Sequence, residues 1–146
     1  MDVSVALITW RKRVLTVFNP RWGAFTLPMT KRREWVARHA RKSRREESWE
    51  DAAIRAAAEA LGRTFSAKAV TGPVLKLDGY AQSDSDGQVK TYHFQVFHIP
   101  LDTEIELLSG AVAEWLLPVE LADPDREPIS PTARHLVGKL AADGIL

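Results

Sequence analysis

The sequence predicts an α/β fold, an α/β/α sandwich in which a mixed β-sheet is covered by helices. Three observations carry that prediction. Short apolar runs rich in β-branched residues stand on both sides of one alanine-rich helical segment. Two longer strand-like stretches flank an Asp-Gly turn signal. A capped helical segment then closes the chain. Strands, one central helix, more strands and a final helix suit a sheet packed between helices.

Val3 to Thr9 and Val14 to Phe18 read as two strands joined through Trp10-Arg11-Lys12-Arg13. Asn19 to Gly23 is a loop by its Pro and Gly. Phe25 to Pro28 returns to extended backbone, because Pro28 keeps Leu27 out of the helical region. The box-like helix is predicted over about 48–61. Ser48 and Asp51 form a capping pattern, Ala52 to Leu61 are mostly strong helix formers, and Gly62 supplies a stop. Its small apolar surface on nearly every side predicts a helix squeezed between layers. Val70 to Ala81 and Gln88 to Ile99 form a hairpin around Asp86-Gly87. In the second strand Tyr92, Phe94 and Val96 share a face. Glu114 to Leu117 is a short strand, Val119 to Ala122 a helical turn, and Asp123 to Pro128 a surface loop. A C-terminal helix is predicted over about 131–142, capped by Ser130 with Pro131 at its first position.

The chain has 146 residues, 45% of them hydrophobic, which suits one domain spanning 1–146 with its own core. It has no cysteine, which excludes disulfides, thiolate zinc sites and cysteine nucleophiles. The N-terminal apolar run lacks a basic region before it and a cleavage site after it, and no stretch approaches the roughly 20 residues that span a bilayer. The expectation is a cytoplasmic protein with no membrane association. A net charge of +1 conceals an asymmetry. Residues 31–45 hold eight Lys or Arg against one acid, Glu34, while the remainder is acidic. Within this basic segment, about 31–46, residues Arg38, Arg41, Lys42, Arg44 and Arg45 form a candidate patch for an anionic partner, either nucleic acid or an acidic protein. Trp35 and His39 add stacking surface among them. The ordinary reading of the same segment is a solvated loop.

From Trp22 to Lys31 the chain reads WGAFTLPMTK. Glu47 and Arg55 follow with seven residues between them, then Arg55-Ala-Ala-Ala-Glu59-Ala-Leu-Gly62, and later Glu114-Trp115-Leu116-Leu117-Pro118-Val119-Glu120-Leu121. This ordered set resembles the Nudix hydrolases, and the resemblance spans Val3 to about Ala142. It implies a Nudix-type sandwich and a box helix that holds divalent cations, usually magnesium, against a diphosphate while water attacks phosphorus. It also implies that a homodimer is common. The departures bear on activity. The three helix carboxylates of the pattern fall on Ala56, Glu59 and Ala60, so two are absent. Met29-Thr30 stands where a Gly-Gly pair is expected, and Arg41 where the box has glycine. About eleven extra residues precede Glu47.

Catalytic duty, where it persists, would rest on Glu47, Arg55 and Glu59, with Glu59 and Glu47 as the magnesium ligands. A further ligand from a later segment has Glu104, Glu106 and Glu114 as candidates, each an ordinary surface acid on the plainer view. Glu47 can instead stabilise the helix start. At helical spacing Arg55 pairs with Asp51 and Glu59, exposed contacts worth only about 0.3–0.5 kcal/mol each. Lys31, Arg11 and Arg21 are candidate phosphate contacts, and Trp22 or Phe25 a candidate stacking surface for a base. His93 and His98 lie where a ligand can meet them, or are structural. Three functions remain open. One is a degenerate module that binds a nucleotide or other phosphorylated ligand with weak or no hydrolysis. The second is an active magnesium-dependent hydrolase of nucleoside diphosphate derivatives. The third is a nucleic-acid or protein interaction module built on the basic insert.

Overall fold

A computed structural model describes residues 1–36, 44–63, 69–83, 87–102, 112–126 and 128–146. Its elements are β1 (Asp2–Trp10), β2 (Arg13–Asn19), β3 (Ala24–Thr26), β4 (Met29–Lys31), β5 (Glu34–Val36), β6 (Arg44–Glu46), α1 (Trp49–Leu61), β7 (Thr71–Ser83), β8 (Val89–Pro100), β9 (Ala113–Leu116), α2 (Pro118–Ala122) and α3 (Pro131–Ala142).

The main sheet is mixed and runs β3-β2-β1-β8-β7. β1 lies parallel to β8, from Asp2 opposite His93 to Thr9 opposite Pro100. A parallel pair needs a long crossover, and here most of the chain intervenes. On its other edge β1 meets β2 only at Thr9–Val14 and Trp10–Arg13. β4 occupies the rest of that edge, with Met29 opposite Val5 and Lys31 opposite Val3. β3 and β9 pair with opposite edges of β2. The two leading strands therefore splay apart, and the Thr26-Leu27-Pro28-Met29 connection bridges the opening.

Both faces of β1 are covered, which is why its sequence reads as a nearly continuous apolar run. Val3, Val5 and Leu7 join a core with Leu121, Ala133, Leu136, Val137 and Leu140. Ala6 and Ile8 pack on the other side with Ala56, Ala57, Ala60 and Leu61. The α/β/α layering follows directly. Ala52, Ala53 and Ala57 are fully buried; alanine lets α1 approach the sheet closely enough for the Ser4 hydroxyl to donate to the Trp49 carbonyl at 2.7 Å.

The helix ends follow their local chemistry. Ser48 Oγ accepts the Asp51 amide at 3.0 Å, and Gly62 stops α1 at φ 70°, where a side chain would be strained. Ser130 Oγ accepts the Ala133 amide, and Pro131 opens α3. Glu120 accepts the Leu117 amide at 3.0 Å and pairs with Arg126 at 3.0 Å, while Leu121 enters the core.

Two features depart from the expectation. Part of the basic segment is paired: β5 and β6 form a two-stranded ladder, Glu34 opposite Glu46 and Val36 opposite Arg44. Three-residue strands with no apolar alternation leave little periodic signal. Arg38, His39, Arg41 and Lys42, expected in an anion-binding patch, lie outside the described residues. The second departure concerns Arg55, taken up below. No described helix is long and apolar enough to cross a membrane.

Candidate functional site

Glu47 sits between β6 and α1 and is 7% exposed. Its Oε1 accepts the Arg33 amide at 3.0 Å and an Arg55 Nη2 hydrogen at 3.0 Å; its Oε2 accepts from Arg55 Nε at 3.1 Å. This fork-on-fork contact is the strongest form of a carboxylate–guanidinium pair. Hydrogen bonding by Arg55 lowers the Glu47 pKa against the opposing effect of burial, and the same bond raises that of Arg55. Arg55 also donates to Thr30 Oγ1 at 3.0 Å and to the Lys31 carbonyl at 2.9 Å. Its Nη1 lies 3.5 Å from Glu59.

Of the expected surface pairs, Arg55–Glu59 is present at 3.5 Å, but the main partner of Arg55 is Glu47 in place of Asp51. Arg55 turns inward to a nearly buried acid eight residues upstream and fastens β4 to α1. Helical spacing alone could not reveal Glu47, because it precedes the helix. Thr30, at a position where the resemblance expects glycine, contributes a hydroxyl acceptor to the same clamp.

Ala56, Glu59 and Ala60 do face one cleft, together with Val17, Phe18, Pro28 and Met29, of about 200 Å³. Glu59 is the one carboxylate among its described lining residues. Magnesium requires near-octahedral oxygen ligation with carboxylates carrying much of the charge. This donor set does not suit it: Glu59 leans on Arg55, both oxygens of Glu47 are engaged, and the other walls are hydrocarbon. No cluster of three acidic, His or Cys side chains occurs among the described residues. Glu114 is tied to Arg126 at 3.3 Å. Glu104 and Glu106 lie outside the described residues.

A larger cavity, about 310 Å³, opens on the opposite side of β4. The Asn19–Gly23 turn builds one wall. Asn19 Oδ1 accepts the Arg21 amide at 3.0 Å, and Gly23 at φ 61° lets the chain turn into β3. Arg21 and Trp22 therefore line the cavity across from Lys31, with Tyr92 and Phe94 at its back and Asn19 and Gln82 at its sides. Trp22 is 37% exposed, so part of its ring is available to a ligand. No carboxylate lines this cavity among the described residues, and Met29 borders both it and the helix cleft.

Three of the four expected ligand contacts, Lys31, Arg21 and Trp22, thus converge. Arg11 does not. It occupies the β1–β2 turn, about 26 Å along the strand from Val3 at 3.3 Å per residue, and lies 5.1 Å over Trp10. Phe25 packs edge-on against Phe18 at 5.4 Å. Tyr92, Gln82 and Asn19 are site residues that the sequence alone does not single out; the alternation of β8 places Tyr92 on the Phe94 face, but only β1, whose Val3 lies opposite both Phe94 and Lys31, brings that face near Lys31. His93 Nδ1 lies 3.3 Å from Asp78, and His98 shares a hydrogen bond with Thr9 at the far end of β8.

No family model matches this chain, and no curated protein matches it at a significant level. Solved structures do match. A Nudix hydrolase from M. smegmatis is 20% identical over 99% of this chain and 86% of its own, with a TM-score of 0.58. The E. coli dihydroneopterin triphosphate pyrophosphohydrolase is 14% identical over 97% of this chain and 95% of its own, TM-score 0.66. A MutT protein from Methanosarcina mazei is 16% identical over 99% and 94%, TM-score 0.63. The fold of this chain is that of the Nudix hydrolases.

Proposed function

We propose that this chain is a Nudix-fold binding module that holds a nucleotide or a related phosphorylated ligand and hydrolyses it weakly or not at all. The observation that carries the reading is the separation of two sites. The cavity with Arg21, Lys31 and Trp22 has cations for phosphate and an aromatic face for a base, with no acid among its described lining residues. The neighbouring helix cleft, where hydrolysis would need a metal, has one carboxylate against an alanine wall. The structural neighbour that acts on dihydroneopterin triphosphate makes a phosphorylated heterocycle a fitting ligand class. Magnesium and an active site built on Glu47, Arg55 and Glu59 belong to the competing reading, which no geometric feature favours. A homodimer and a role of the basic strands β5 and β6 toward an anionic partner are compatible with either.

The test is a panel of nucleoside mono- and diphosphates and diphosphate sugars with the intact chain, in magnesium or manganese, followed by calorimetry and by phosphate release. Saturable binding without turnover is expected. Arg21→Ala and Lys31→Ala should each weaken it about tenfold, the equivalent of about 1.4 kcal/mol, and Trp22→Ala by a similar factor. Metal-dependent turnover that disappears in Glu59→Gln would overturn the reading.

A further inference from the structure

Another cavity, about 480 Å³, is distinct from the one beside β4. It lies at the other end of the sheet, under the β1–β2 turn. Its described walls are mostly aliphatic: Leu117, Pro118, Val119, Ile145 and Leu146 line it, and Val119 and Ile145 are among the few large apolar side chains left exposed among the described residues. A cavity of this size with apolar walls and a few convergent polar groups is the usual form of a small-molecule site. Two polar features stand at its rim. The Thr9 hydroxyl and His98 Nε2 share a hydrogen bond of 2.6 Å. Lys12 supplies the one charged side chain of the described lining, and among the described residues no side-chain carboxylate pairs with it.

The position of Lys12 adds a second, independent observation. Arg11 and Lys12 form a two-residue hairpin turn with φ of 47° and 63°. That conformation is ordinarily supplied by Asn-Gly or Gly-Gly, because a Cβ is strained there. Two long basic residues are held where glycine would serve the turn better, and the second lines the cavity.

We propose that this cavity is a second ligand site, and that it takes an aliphatic carboxylate, with the hydrocarbon against Leu117, Pro118, Val119 and Ile145 and the carboxylate on Lys12 and the Thr9–His98 pair. The aliphatic side chains that make up most of the described lining favour a flexible aliphatic body over a flat ring. The single cation selects a monoanion over a di- or triphosphate. The site is separate from the nucleotide reading and does not depend on it.

The experiment is an amide NMR titration of the whole chain with decanoate and, as the uncharged control, decanol. Saturable shifts confined to Thr9, Lys12, His98, Val119 and Ile145 are expected, with decanoate held about tenfold more tightly than decanol, as one charge-assisted contact provides. Lys12→Gly should abolish that preference while raising Tm, so lost binding and lost folding part in opposite directions. Lys12→Gln should abolish the preference with the turn backbone unchanged. Equal affinity for the two probes, shifts centred on Trp22 and Tyr92, or no saturation would each overturn the proposal. So would a concentration-dependent dimer that shifts these same amides and excludes decanoate, which would assign the face to a second copy of the chain.

Discussion

Glu47 combines an ionised side chain with near-complete burial, which is tolerated only when charge and hydrogen bonds are both satisfied. Arg55 supplies most of that satisfaction, so removing it should cost more than the contacts it makes. Arg55→Met is expected to destabilise the fold by about 3 kcal/mol, because it strands a buried carboxylate. Glu47→Leu with Arg55→Met should cost less than the sum of the two single changes, as coupled partners do. Urea unfolding of the four variants checks this; strict additivity would show that the pair is not coupled.

The same carboxyl sets an acid limit. Its folded pKa lies below the ordinary value, so the unfolded chain takes up a proton first as pH falls. Its contribution is complete at neutral pH and is lost below about pH 4.3. His98 acts in the same direction higher up: burial lowers its pKa, the unfolded imidazole protonates first, and stability declines below about pH 6.5. Glu47→Gln should flatten the lower phase of Tm against pH, and His98→Gln the upper one. A profile unchanged by either substitution would remove that group from the account.

At the scale of the element, α1 was the most legible part of the chain. Ser48, the alanine run and Gly62 announced its ends and its close packing, since capping and propensity are local. The Arg55–Glu47 clamp was not legible, because one partner lies off the helix and the others lie on β4, brought near only by the Val5–Met29 register. The β5–β6 ladder was hidden for a related reason: its three-residue strands carry no apolar period, and the Glu47 amide that donates to the Arg33 carbonyl at 2.8 Å beside it leaves no mark in the sequence. The converse test of the box belongs here. Ala56→Glu with Ala60→Glu places two carboxylates in the cleft beside Glu59. Manganese affinity is expected to rise from unmeasurable to saturable in calorimetry. If it does not, the cleft is unsuited to a metal for reasons beyond its missing acids.

For the whole molecule, the layering was readable because an apolar run such as Val3 to Ile8 has to be covered on both faces. The ligand cavity was only half readable. Arg21, Trp22 and Lys31 stood out as residue types near one loop, but Tyr92 and Gln82 reach it through β8 and β7, and Arg11 was carried to the far end by the length of β1. Sequence proximity and spatial proximity part company wherever a strand intervenes.

The parallel pairing of β1 with β8 has a consequence for how the molecule is made. Thr9 and His98 are 89 residues apart, so the central strand emerges early and waits for a partner synthesised much later. Native contacts of such separation make folding slow and leave apolar strand edges uncovered in the meantime. The nascent chain would thus leave the β8-facing edge of β1 unpaired until β8 has been synthesised.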